Sequence, residues 1–260
     1  KIYITMIIVI IQARMGSFRL PNKVMKKILN KPLIDYLLER VATAKRVDKI
    51  VLATTIKSED DYLAEHVNSL GYDVFRGSDA DVLSRYYHAF NKFKSKTDKS
   101  NAIVRITGDC PLIDAQLIDK VITEYQERNI DYVALSPDFA EGLDVEIFSE
   151  TLLTQAFNKA KNPSEREHVA LFFHNNKKLF NMYRVQNKTN DSCYRITVDE
   201  EQDFIVIKEI IEHFYSNNLV LNTQNIKHYL DRNPNIYNLN SHIVRNEGLQ
   251  KSLEKENEKF

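Results

Sequence analysis

Glycine is scarce in this chain, six among 260 residues; tryptophan is absent, and there are only two cysteines. Cys110 and Cys193 make no paired CxxC. That excludes a disulfide framework and a cysteine-ligated structural zinc site, and it reads as a cytosolic setting. Charge of one sign is also missing: 36 Lys and Arg offset 36 Asp and Glu. A generic polyanion surface, and with it nucleic acid, is therefore not expected. Long apolar runs are lacking too. The longest, Met6 to Ile11, falls far short of the ~20 residues that cross a bilayer, so it reads as a buried strand. Lys1 to Thr5 precede Met6, which would suit a natural start, and they read as upstream sequence.

What is present, 43% hydrophobic and 28% charged residues, is ordinary globular usage. A chain of this length buries roughly 70–75% of its unfolded surface. The first half alternates short apolar runs with amphipathic stretches, the pattern of βαβ units. Strands are expected at 7–11, 50–53, 72–75 and 102–106, with helices opening at Pro32, near Ser58 and after Asp79 or Asp81, and another over 117–127. The second half predicts strands at 132–135, 145–148, 180–185 and 194–198 and helices over 150–159, 165–174 and 202–215. The fold class is α/β: a mixed, mostly parallel sheet flanked by helices, in one domain over residues 6–245. A small inserted lobe is expected at about 130–190, and residues 246–260 read as a solvated polar helix or tail.

Where the few glycines fall is informative, since Gly16, Gly77, Gly108 and Gly142 follow predicted strands or sit in polar loops. In an open α/β sheet, ligands bind beyond the carboxyl ends of the strands. The loop Gln12 to Lys23 carries Arg14, Arg19 and Lys23 with Gly16 and Ser17, and suits a polyphosphate: arginines fork onto phosphate oxygens and backbone amides add donors. Asp109 emerges directly after a strand in Arg105-Ile106-Thr107-Gly108-Asp109-Cys110-Pro111, facing the same crevice. Asp199 ends the later Arg195 to Asp199 run in the same manner. Two such aspartates suit one hard divalent cation, although Asp109 also reads, less well, as a turn cap and Asp199 reads equally as a helix cap. Six histidines, at 66, 88, 174, 213, 228 and 242, show no paired ligand spacing and read as structural.

The block Gln12-Ala13-Arg14-Met15-Gly16-Ser17-x-Arg19-Leu20-Pro21-x-Lys23 resembles the opening of the cytidylyltransferases that activate sugar acids, above all the spore coat polysaccharide biosynthesis protein F family. Ordered matches follow at Ala53-Thr54-Thr55, Phe75-Arg76-Gly77-Ser78, Asp81-Val82-Leu83, Arg85-Tyr86-Tyr87, Arg105 to Asp114, Gly142 to Glu146 and Ser164 to Val169. The resemblance implies a Rossmann-like nucleotidyltransferase fold, a homodimer, and transfer of CMP from CTP, with Mg²⁺, to a small acidic acceptor, a sugar acid or a phosphate ester. It implies nucleotide binding by Ala13, Arg14, Gly16, Ser17, Arg19, Lys23, Thr54, Arg76, Ser78, Asp81 and Thr107. Arg14, Lys23 and Asp109 would be catalytic, and Asp109 and Asp199 the metal ligands. The acceptor would meet Asp144, Glu146, Glu165, Arg166 and His168, although Arg166 and His168 also read as a capping and ion-pair cluster. Thr107 stands where related synthetases have Gln. A rival class is a nucleotide-sugar glycosyltransferase, with Asp79-Ala80-Asp81 as its metal-binding DxD.

Overall fold

The computed structural model describes residues 6–96 and 100–257. The stretch read as upstream sequence and the last three residues of the expected tail lie outside the described residues. The β-branched run becomes β1 (Met6–Gln12), buried on both faces: Ile7, Val9 and Ile11 enter one apolar cluster, and Ile8 and Ile10 the other. After the first loop, a hairpin of β2 (Lys27–Ile28) and β3 (Lys31–Pro32) turns through Leu29 and Asn30, both at positive φ. β4 (Lys49–Thr55) and β6 (Asn101–Thr107) flank β1 in parallel, and β5 (Asp73–Gly77) lies outside β4. β7 (Tyr132–Leu135), β8 (Glu146–Ser149) and β9 (Met182–Val185) complete the sheet in the order β5-β4-β1-β6-β8-β7-β9. β8 alone among these strands runs against the others.

On one face pack α1 (Leu33–Ala42), α2 (Asp61–Ser69), α4 (Ala115–Arg128), α8 (Glu201–Ser216) and α9 (Thr223–Arg232). On the other lie α3 (Val82–Phe93), α5 (Glu150–Lys159) and α7 (Ala170–Asn175). Four short-chain caps fix helix starts: Asp81 accepts from Ser84 N at 2.8 Å, Asp114 from Gln116 N at 3.0 Å, Ser149 from Leu152 N at 3.1 Å and Asn222 from Asn225 N at 2.8 Å. Of the remaining helices, α6 (Pro163–Glu167) packs on α3, α10 (Pro234–Tyr237) on α8 and α9, and the final α11 (Glu247–Asn257) on α6.

Four expectations change. Residues 194–198 are extended but form no strand, only one bridge between Glu141 and Arg195. Their donors go to loops instead, Ile196 N to Glu141 O and Val198 N to Asp109 O, each at 2.8 Å. The helix expected over 165–174 is two helices, broken at His168, whose φ and ψ of −107° and 77° are not helical. Ser58 opens a short 3₁₀ turn rather than capping α2. Residues 130–190 add β7, β8 and β9 to the main sheet together with α5, α6 and α7, so they are continuous with it.

The parallel strands end along one edge, with Gln12 of β1 paired to Thr107 of β6. Two glycines let the loops beyond that edge close up. A Cβ on Gly108 would lie 2.6 Å from the Ala13 Cβ, and one on Gly142, at φ +98°, would lie 2.6 Å from the Ile196 and Thr197 backbone. Gly142→Ala is therefore expected to cost about 2 kcal/mol through backbone strain and the clash. Calorimetry should show a melting midpoint lower by roughly 4–8 °C. An unchanged midpoint would contradict the placement of residues 194–199.

Candidate active site

The first loop is pinned from beneath. Asp60, fully buried, accepts from Met15 N at 2.6 Å and is hydrogen-bonded by the Thr55 hydroxyl. Met15 O in turn receives Ser17 N at 2.8 Å and Asn22 N at 3.0 Å, folding residues 15–22 into a compact turn. The three cations of this turn line one cleft but meet different sets of carboxylates. Arg14 pairs with Asp79, which also holds Lys57 at 2.6 Å; together they keep that carboxyl below its ordinary range despite partial burial. Arg19 meets Glu247 at 2.9 Å, Asp199 at 3.2 Å and Glu200 at 3.6 Å.

Lys23 is the most enclosed of the three. Its Nζ donates to Val198 O and to Asp199 Oδ1, each at 2.8 Å, and lies 3.6 Å from Asp109 Oδ2. Burial alone would lower its pKa, but Asp109 and Asp199 overcome that and raise it. For Asp199 the signs invert: burial raises the carboxyl, and Lys23 with Arg19 and Arg195 holds it low. The two aspartates are brought together by backbone. Asp109 follows Gly108, whose N–H donates to Gln12 O at 2.7 Å, while Val198 N and the Thr197 hydroxyl donate to Asp109 O at 2.8 and 3.0 Å.

Asp199 is fixed by a buried network. Arg195 Nε and Nη2 fork onto Asp203 at 2.8 and 2.9 Å, and Nη1 donates to Glu141 at 2.6 Å. Asp203 also accepts from the backbone N–H groups of Asp199 and Glu200, each at 3.0 Å, and from Asn240 Nδ2 at 2.9 Å. The network turns the chain sharply into α8 and leaves the Asp199 carboxylate facing Lys23. Two carboxylates converging on one cation form an oxygen donor set that suits a hard divalent ion keeping water or phosphate oxygens as its remaining ligands. No group of three or more His, Cys, Asp or Glu side chains among the described residues could hold a metal.

Two clefts open at this edge. One, of about 280 Å³, is lined by the first loop and by Val82, Arg85, Arg105, Thr107 and Asp109. The other, of about 520 Å³, runs past Asp109, Asp144, Glu146, His168 and Arg184 to residues 244–249. Gln12, Arg19, Arg105, Thr107, Asp109 and His168 line both. Ala13, Arg14, Ser17, Arg19, Lys23, Thr107 and Asp109 are thus gathered in the first cleft, and Asp144, Glu146, His168 and Asp199 in the second. Gly16 lies in the turn without lining either.

Other sequence-derived positions point elsewhere. Thr54 is fully buried in β4. Arg76 donates to Thr55 O and Lys57 O at 2.9 and 2.8 Å and pairs with Asp61. The Ser78 hydroxyl accepts from Asp81 N at 3.0 Å. Asp81 caps α3 and receives the Arg166 guanidinium, which also donates to Phe157 O at 2.8 Å. Glu165 is buried and accepts from Asn175 Nδ2 at 2.8 Å. None of these six lines either cleft. Three residues missing from the sequence-derived set do: Gln12, Arg85 and Arg105 each carry a buried side-chain atom without a partner among the described residues, Oε1 in the first and Nε in the other two. Each opens one of the matched blocks, which is its signal in the sequence; the direction of its side chain is not readable there. Cys110 is buried beneath Asp109, and burial, reinforced by that carboxylate, pushes its thiol well up, consistent with packing rather than reactivity.

A family model described as cytidylyltransferase matches residues 8–227. An uncharacterized protein of Methanocaldococcus jannaschii is 41% identical over 239 residues, 91% of this chain and 95% of the relative. The spore coat polysaccharide biosynthesis protein SpsF of Bacillus subtilis is 34% identical over 216 residues, 79% of this chain and 86% of the relative. Among solved structures, a cytidylyltransferase from Leptospira borgpetersenii serovar Hardjo-bovis superposes with a TM-score of 0.81 at 32% identity, over 90% of this chain and 97% of that one.

Replacing Asp203 with Asn removes one charge from a fully buried pair and leaves Arg195 under-compensated. Urea unfolding of the variant should show a loss of about 3 kcal/mol. A loss under about 1 kcal/mol, the value of an exposed pair, would contradict the role given to this network.

Proposed function

We propose, since the chain belongs to the cytidylyltransferase family, that it transfers CMP from CTP to a small acidic acceptor and releases pyrophosphate. It is a nucleotidyltransferase; the finer reading rests on one observation above the rest. Lys23 is held between Asp109 and Asp199 at the mouth of a cation-rich loop, so charges of both signs that a metal-bound triphosphate needs are already oriented. In this reading, CTP lies in the smaller cleft with its phosphates along residues 13–23. An acceptor oxygen from the larger cleft attacks the α-phosphorus, a bond forms between them, and the bond to the bridging oxygen breaks to expel pyrophosphate.

Arg14, Arg19 and Lys23 bind the phosphates and offset charge on the leaving group. Asp109 and Asp199 would hold Mg²⁺, which when bound neutralises phosphate charge and polarises the reacting phosphorus. Positioning carries the rest, since the two clefts meet at Gln12, Arg105 and Thr107. No general base is assigned. Arg105, Arg184, Arg245 and His174 in the larger cleft suit an acceptor bearing a carboxylate or phosphate. The name of the Bacillus relative supports a place in surface polysaccharide synthesis. A homodimer in the cytoplasm completes the proposal.

The glycosyltransferase reading is disfavoured by the DxD residues, because neither Asp79 nor Asp81 lines either cleft, and Asp81 serves Arg166 and the start of α3. The test is pyrophosphate release with CTP, against ATP, GTP and UTP, across sugar acids and small phosphorylated acids. Release with CTP and one acceptor class is expected, and a product formed without pyrophosphate would sink the reading. Asp109→Asn and Lys23→Ala should each lower kcat/KM by about 100-fold or more, on the order of 3 kcal/mol of transition-state stabilisation. Wild-type turnover in Asp109→Asn would make the metal assignment wrong.

A further inference from the structure

Residues 244–257 lie beyond residue 227, where the family match ends, and the sequence pattern reads those from 246 onward as a solvated tail. They are not merely solvated. Residues 244–249 wall the larger cleft, and α11 continues across α6. Side-chain attachments hold this strap along its length, including one at its far end, where the buried Ser164 hydroxyl donates to Glu256, and a longer one from Asn246 N to Glu141 at 3.5 Å. Arg245 donates to Pro137 O and Phe139 O at 2.8 and 2.9 Å and meets Asp144 at 3.1 Å. Glu247 accepts from Arg19 at 2.9 Å. Ser252 lies 3.0 Å from His168 Nε2 and donates to Glu167 at 3.1 Å.

These attachments are polar, and among residues 241–250, 252–254 and 256–257 none is buried. A segment without an apolar anchor opens at low cost. The Glu247 attachment uses Arg19, a residue that lines both clefts and belongs to the proposed triphosphate loop. A phosphate is a stronger fork partner for a guanidinium than one half-exposed carboxylate. Glu247 and a triphosphate therefore compete for the same group.

We propose that residues 244–257 form a movable outer wall of the acceptor cleft, held shut by Glu247 on Arg19 and released when a triphosphate takes Arg19. The inference rests on the reading of residues 13–23 as the phosphate loop. It orders the reaction: nucleotide enters first, and the acceptor enters past the freed wall. It also makes the strap, rather than the sheet edge alone, a determinant of which acceptor is enclosed.

The test uses the full chain, native, with Glu247→Gln, and with Glu254→Gln as the same charge change elsewhere on α11. CTP and inorganic tripolyphosphate are titrated calorimetrically, and amide hydrogen exchange is followed over 244–257. Both ligands should speed exchange of the strap in the native chain. Glu247→Gln should exchange faster without ligand and bind both ligands roughly two- to fivefold more tightly, the size of one exposed ion pair. Glu254→Gln should match the native chain. Unchanged affinity and exchange in Glu247→Gln, or slower exchange of the native strap with ligand, would overturn the proposal. The same shifts with tripolyphosphate from a chain that ignores CTP would support the wall while removing the cytidylyl reading. Binding of neither ligand would overturn both.

Discussion

Lys23 between Asp109 and Asp199 is the interaction on which the rest of the site depends. A lysine this enclosed, with 13% of its side chain exposed, stays charged only if its lost hydration is replaced, and the two carboxylates with Val198 O replace it. Neither aspartate reaches that position alone. Gly108 lets the end of β6 press against the end of β1, while Gly142 lets residues 194–199 pass close enough to bond Asp109. Arg195 and Asp203 then turn the chain so that Asp199 faces inward. Strand order, two glycines and one buried ion pair thus converge on a single ammonium group.

The same logic extends outward from Lys23. Arg14 and Arg19 also find carboxylates, so the charges at this edge are balanced in shells, from enclosed Lys23 to Arg14 at 44% exposure. Such pairs are weak individually where water reaches them. Their value lies in orientation, because cations already aimed at one cleft need little reorganisation to exchange a carboxylate for a phosphate. The enclosed pair is different in kind: Lys23 cannot simply be uncovered, and whatever binds there must supply both signs. A hard cation accompanied by phosphate does so.

How far the sequence reaches differs by element. β1 is legible because a continuous β-branched run buried on both faces has no other stable home, and β7 and α5 match residue for residue, since apolar strand runs and a Ser149 cap are local signals. Residues 194–198 look like a strand by composition, but their hydrogen bonds are settled by loops distant in sequence. In the site, residues on strand ends and the first loop are legible because topology alone sends them to the ligand edge. Arg76 and Arg166 are not, because an arginine's direction depends on which carbonyls and carboxylates the packing brings near, here Thr55 O and Asp81. Arg85 and Arg105 are missed for the converse reason: each lies among apolar neighbours in a helix or strand pattern, and only packing turns it toward the cleft.

The most direct test of this account is a crystal structure with CTP and Mg²⁺. The account predicts phosphates along residues 13–23, the cation on Asp109 and Asp199, and Arg14 and Arg19 turned from Asp79 and Glu247 to phosphate oxygens. A triphosphate bound elsewhere, or a cation away from both aspartates with Lys23 still seated between them, would contradict it.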